Sequence, residues 1–395
     1  MNVRPLTTSR ELAVLESAWN DLDAGVPFRS FAWLTTWWQC YGDDAQGANP
    51  DRRELLVLAV EDPQTGETNA IAPWFVDRTR AEGNVIRWLG SGEVCSDYLS
   101  VLCAEGREGE VAAALADWLV DPAETCWTAI DLGDVATDDA LVALLAEELR
   151  ARGASVHRRA GTTCWRLELS TDWETYLKRL SKTRRKRTRG LLRDWFDCGR
   201  AELFRLTSVE DVEQAMPSFE ELHQKRRRSL GQAGCFASPR FARFLRTVAP
   251  RMAAEGRLEI AQLSIDGRTA AFDFNLLGRK TIYSYQSGLD PATLEQQPGH
   301  LITIAELRQA IERKFTAYDF LRGDEPYKHN WRAAPQETTH IRVVANRTRA
   351  RLAHMVWNAR QQTRDWARTI RDTTVDAREQ LVARAKGLVW RGKPG

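Results

Sequence analysis

A chain of 395 residues has room for two or three domains, and its 43% hydrophobic and 28% charged residues are the composition of an ordinary soluble globular protein. No run of about 18 apolar residues occurs, which excludes a membrane-spanning helix. The net charge of +2 is uneven: residues 347–395 hold 12 Lys and Arg against 4 Asp and Glu, so a basic tail follows a near-neutral body.

The opening, MNVRPLTTSRELAVLESAW, lacks the unbroken apolar stretch of a secretory signal. Residues 28–42, FRSFAWLTTWWQCYG, place apolar groups at helical spacing. ELLVLAV (54–60) and AIAPWFV (70–76) read as a strand pair across the polar turn EDPQTGETN. VIRWLG (85–90), DYLSVLC (97–103) and TAIDLG (128–133) read as further strands. EVAAALADWLV (110–120) and DALVALLAEELRARG, closed by Gly153, read as helices. Together they predict an α/β lobe over residues 1–160.

A second lobe is expected over residues 161–346. TCWRLEL (163–169) is a strand, and Thr171 or Asp172 caps one long helix, DWETYLKRLSKTRRKRTRGLLRDWFDCG. Helices follow at 209–230 and 239–254. LEIAQLSID, TAAFDFNLLG and KTIYSYQSGL then form strands in series, turned at Asp266-Gly267 and Gly278-Arg279. The helix HLITIAELRQAIERKF, the strand AYDFLRG, a short helix EPYKHNW and the strand THIRVVAN complete the lobe. This order resembles that of a GNAT fold, which implies a ligand slot where the fourth and fifth strands splay. The first lobe reads as a degenerate copy.

Two segments carry chemistry. In Gln297-Pro298-Gly299-His300-Leu301 a helix begins with Pro and Gly. Free backbone N–H groups and the positive end of the helix dipole suit a pyrophosphate there. The string Tyr318-Asp319-Phe320-Leu321-Arg322-Gly323-Asp324-Glu325-Pro326-Tyr327-Lys328 crowds acids, cations and phenols at a strand end. Acyl transfer to an amine needs a base for the attacking ammonium and an acid for the leaving thiolate. Asp319 or Glu325 suits the base and Tyr327 the acid. Lys328 or Arg322 suits a developing oxyanion or an anionic substrate group. Asp97 and Tyr98, His223 and Arg227, and Arg322 and Asp324 are candidates for holding the acceptor. Eight Lys and Arg between Lys178 and Arg189 make a basic helix face, which fits a solvated surface or an anionic ligand. Seven Cys without a C-x-x-C argue against disulfides or a zinc site, and no His or carboxylate cluster has metal spacing, so a cytoplasmic chain without metal is expected.

PGHL before a helix, followed by YDFLRGDEPYKHNW, resembles the CelD/BcsL-type, BioF2-like acetyltransferases of the GNAT superfamily. GSGEVCSDYLSVL, LSKTRRKRTRGLLRDW and LHQKRRRSLGQAGCF extend the resemblance over roughly residues 25–345. It implies an α/β (α+β type) fold of tandem GNAT-like lobes with mixed, mostly antiparallel sheets. It also implies acetyl-CoA or another acyl-CoA as donor, a small-molecule or sugar-precursor acceptor, and a link to exopolysaccharide production. The helix start has one Gly followed by His300, where the usual GNAT pattern is Q/R-x-x-G-x-G/A. FemABX-like aminoacyl transfer from charged tRNA, or a degenerate scaffold binding a partner, are the competing expectations; no specific nucleic-acid signature is present. In the tail, 347–395, Leu352, Met355, Val356, Ala359, Thr363, Trp366 and Ile370 fall on one helical stripe with Arg on its flanks. That stripe predicts either packing onto the lobes or a peripheral membrane or acidic protein partner.

Overall fold

The structure, a computed structural model, describes residues 1–42 and 52–363. Strands β1 (Asn2–Leu6), β2 (Arg52–Glu61), β3 (Thr68–Thr79), β4 (Gly83–Trp88), β5 (Leu102–Cys103), β6 (Ala129–Ala136) and β7 (Ser155–Ala160) build the first lobe. Its helices are α1 (Ser9–Ala13), α2 (Glu16–Leu22), α3 (Phe31–Tyr41), α4 (Glu108–Val120) and α5 (Ala140–Ala151). The second lobe begins with β8 (Cys164–Glu168), α6 (Trp173–Arg179), α7 (Lys182–Leu191) and β9 (Ala201–Leu206). It continues with α8 (Val209–Ser229), α9 (Pro239–Ala254), β10 (Leu258–Ile265), β11 (Arg268–Leu277) and β12 (Thr281–Leu289). After α10 (Pro298–Glu312) come β13 (Ala317–Arg322), α11 (Pro326–Asn330), β14 (Ala334–Gln336) and β15 (Thr338–Val344).

Both sheets follow one plan. The first runs β1-β2-β3-β4-β6-β15-β7, with β5 beside β3, and the second runs β9-β10-β11-β12-β13-β8-β14. In each, antiparallel strands lead to one parallel pair: Val85↔Ala129 to Arg87↔Asp131 in the first lobe, Thr281↔Ala317 to Tyr283↔Asp319 in the second. The copy extends to residues. Ala129-Ile-Asp131 and Ala317-Tyr-Asp319 occupy equivalent positions, and the two aspartates face Arg342 and Arg166 across the next strand.

That next strand is exchanged between the lobes. β8 follows β7 in the chain yet enters the second sheet, and β15 follows β14 yet enters the first. The two connections cross at Gly161, whose N–H donates to the Thr338 carbonyl (2.8 Å), while Thr338 Oγ1 donates to the Thr162 carbonyl (2.7 Å). A Cβ on Gly161 would lie 3.0 Å from the Thr338 carbonyl carbon, so glycine is what lets the strands pass. The second sheet therefore ends at Gln336, not at residue 346 as the chain order alone implies. One continuous apolar core joins the lobes: Phe28 and Trp33 of the first pack edge-on against Tyr283, Tyr285 and Phe244 of the second.

Local chemistry explains the other departures. The expected long helix breaks at Leu180, which is extended, and Ser181 restarts it by accepting from Arg184 N. Of the expected strand 97–103 only Leu102–Cys103 pairs. The Asp266-Gly267 turn forms as expected, both residues having positive φ (48° and 77°). Residues 348–363 are helical. They pack Ala350 and Trp357 against the first sheet and leave Leu352, Met355 and Val356 exposed, so the described part of that stripe is not the face that packs onto the lobes. Trp366 and Ile370 lie outside the described residues.

Candidate active site

β12 and β13 pair over three residues and then diverge, leaving a cavity of about 360 Å³. Side chains alternate along a strand, so Tyr318 and Phe320 enter the cavity while Asp319 and Leu321 face the other way. Ser284 and Ser287 of β12, Asp273 of β11, and Gly299, His300 and Thr303 of α10 line it, with Glu325, Tyr327 and Trp331 from the loop and helix that follow β13.

One end of the cavity is electropositive. Gln297 is left-handed (φ 59°), Pro298 occupies the first turn, and no side chain caps α10. Arg187 of the basic helix α7 donates to Gln297 Oε1. Burial, then Arg187 and Arg184, lower the pKa of His300. The basic run thus stands beside the helix start, a pairing that spacing along the chain could not show. Leu301 is fully buried among Leu263, Ala270 and Ala271, so its side chain plays no part in the cavity.

The cavity also has an acidic part, which the sequence reading did not single out. Asp273 and Glu306 meet in the interior; burial and then Glu306's charge raise the pKa of Asp273 well above the usual carboxylate value, and burial raises that of Glu306. Tyr318 Oη donates to Glu306 Oε2 (2.9 Å), and Asn275 donates to Oε1. Two buried carboxylates in contact cannot both ionise and so share a proton. The available signal was an acid inside each of two apolar runs, AAFDFNLL and LITIAELRQAI.

The predicted residues separate into three groups. Glu325 and Tyr327 line the cavity, with Asp324 outside it accepting from Trp165 Nε1 (3.3 Å). Burial, then Glu325's charge, raise the Tyr327 pKa, keeping the phenol protonated at neutral pH. Lys328 is 2% exposed and spends its donors on the carbonyls of Leu321, Arg322 and Gly323 and on Glu325, so it holds the loop and has no hydrogen left for an oxyanion.

Asp97, Tyr98, Asp319 and Arg322 form a clasp between the lobes. Arg322 pairs with Asp97 (2.5 Å) and Asp134 (3.2 Å), and Tyr98 Oη donates to Asp319 Oδ2 (2.8 Å). Asp319 Oδ1 also accepts from Leu321 N (2.8 Å), holding that residue at φ 56°. His223 is 1% exposed, between Gln224 and Cys235, and Arg227 donates to Gln232 (3.0 Å); the neighbouring Arg226 lines the cavity in their place. Among the described residues no group of three or more His, Cys, Asp or Glu is arranged for a metal ion.

Burial raises the Asp319 pKa from 3.8 to about 7. The folded state therefore binds this proton more tightly than the unfolded state, and the associated stability is lost as pH rises from about 4 to about 7. Three units correspond to about 4 kcal/mol. Asp319→Asn is expected to flatten that slope in urea titrations at pH 5 and 7.5 while keeping turnover within a few-fold; a large loss of turnover in a folded variant would return Asp319 to the reaction.

Residues 182–329 match the family described as acetyltransferase (GNAT) domain. The likeness to a GNAT-type acetyltransferase domain thus falls within the second lobe. The match contains α10, β13 and every residue of the cavity except Trp331. No curated protein sequence matches the chain. Among solved structures, FemX is similar at 12% identity and a TM-score of 0.57, over 86% of this chain and 97% of that one. A protein from Bacteroides thetaiotaomicron VPI-5482 is similar at 11% identity and a TM-score of 0.56, over 87% and 100%. L-PGS from Bacillus licheniformis is similar at 10% identity and a TM-score of 0.50, over 88% and 95%. At these identities the likeness is one of fold, and it extends over both lobes.

Proposed function

We propose that the protein transfers an acyl group from acyl-CoA, acetyl-CoA being the simplest donor, to an amine or hydroxyl of a small molecule or sugar precursor. The observation that carries this reading is a single cavity that joins an electropositive helix start to a proton-sharing carboxylate pair and a protonated phenol. The resemblance to CelD/BcsL-type enzymes supports the sugar-precursor acceptor and a link to exopolysaccharide production.

The backbone at Gly299 and His300, with Arg184 and Arg187 beside it, would hold the donor's phosphates. The donor supplies a thioester carbonyl and a thiolate leaving group. Asp273 is the member of the pair that lines the cavity; when the shared proton rests on Glu306, the Asp273 carboxylate takes the proton from the attacking group, which leaves both members protonated. Tyr327 returns a proton to the leaving sulfur. Tyr327→Phe is expected to lower turnover about a hundredfold, the low end of the usual range for a lost acid, with acetyl-CoA affinity unchanged. The low end is expected because Tyr327 is 40% exposed and water reaches its place. Wild-type turnover in the Phe variant would exclude it as the acid.

Thermal shift tests the donor. A ligand at 100 times its Kd stabilises the folded state by about 2.7 kcal/mol. Stabilisation by acetyl-CoA supports the proposal. Stabilisation by total charged tRNA and not by acetyl-CoA would replace it with aminoacyl transfer. An acceptor screen with labelled acetyl-CoA would then identify the substrate.

A further inference from the structure

The helix over residues 348–363 has two apolar faces and only one is covered. Ala350 (2% exposed) and Trp357 (5%) lie on the first sheet, where the Arg342 and Arg159 guanidinium groups sit 4.0 and 4.6 Å from the Trp357 ring. On the opposite side Leu352, Met355 and Val356 are 54%, 58% and 48% exposed. Their spacing of three and four residues makes one stripe. These three are the exposed large apolar side chains of a single short segment, which makes them a patch and not scattered surface residues.

The charges around the stripe choose its partner. Residues 347–363 contain Arg347, Arg349, Arg351 and Arg360 and no Asp or Glu. At 100° per residue Arg349 and Arg360 border one side of the stripe and Arg351 the other. A second copy of this helix laid on the stripe would set arginines against arginines. A nucleic acid would meet the arginines but give Leu, Met and Val nothing to bury against. An apolar stripe edged by cations on both sides is the pattern of a helix lying in the surface of an anionic bilayer.

We propose that this face docks the protein on an anionic lipid membrane, with the helix parallel to the surface and the first lobe held against it. No helix among the described residues is long and apolar enough to cross a membrane, so the attachment is peripheral. It is also salt-sensitive, because the Debye length shrinks from about 10 Å at 0.1 M to about 3 Å at 1 M.

Co-sedimentation of the full chain with phosphatidylcholine vesicles, with and without phosphatidylglycerol, tests this. Pelleting is expected with the anionic vesicles at low salt and not with neutral ones. The triple change Leu352→Ser, Met355→Ser, Val356→Ser and the double change Arg349→Gln, Arg360→Gln are each expected to abolish it with an unchanged melting temperature, since all five side chains are exposed and lie away from the covered face. Three results would overturn the proposal: no pelleting of the full chain, pelleting undiminished in the Ser variant, or self-association without vesicles that the Ser variant loses. The last would assign the face to a second copy.

Discussion

Gly299→Asp is expected to eliminate acetyl-CoA binding by calorimetry while the protein melts as before. A Cβ at Gly299 would meet only Leu289 Cδ1, at the ordinary contact distance of 3.5 Å, and the residue has no left-handed backbone that demands glycine. The fold therefore tolerates a side chain there. A carboxylate in the first turn even favours the helix, by about 0.3–1 kcal/mol through its dipole. The same carboxylate would occupy the free N–H groups and face the donor's phosphates. At an effective dielectric near 20, like charges about 4 Å apart repel by about 4 kcal/mol, close to a thousandfold in Kd. Gly299→Ala separates charge from bulk and should retain most of the affinity. Undiminished binding to the Asp variant would move the phosphates away from α10.

Asp273→Asn is expected to lower turnover by about 10²–10⁴-fold, the usual range for losing an acid–base group, without loss of stability. The pair shares one proton, so Asn at 273 replaces a protonated carboxyl with a neutral amide of the same size that can still donate to Glu306. A purely structural carboxylate would give a different result, with stability falling and turnover following it. The pH profile adds a second readout. Wild-type kcat/KM should rise with pH through the raised pKa of the pair, and the Asn variant should lose that limb. Glu306→Gln removes the neighbouring charge that helps raise the Asp273 pKa, so the limb should move to lower pH. An Asn variant with full turnover would exclude Asp273 as the base.

The primary structure determined much of this protein by itself. Apolar periodicity located most helices, the Asp266-Gly267 dipeptide placed a hairpin, and Pro298-Gly299 marked a helix start before the strand AYDFLRG. These are local properties, set by backbone sterics and by the period of apolar residues within a dozen positions. Tertiary structure alone decided the rest. Strand period 2 says that Tyr318 and Asp319 face opposite sides, but not which side holds the cavity, and the clasp with Tyr98 puts Asp319 on the wrong one. Asp273 and Glu306 are 33 positions apart and meet only because α10 folds back over β11. The exchange of β8 and β15 depends on a crossing at Gly161 and Thr338 that no window of sequence contains. The tail helix carries two apolar stripes, and the sequence marked the one that the fold leaves uncovered. Amphipathic pattern reports which faces are apolar, whereas the choice of the face to be buried belongs to the surface it packs against.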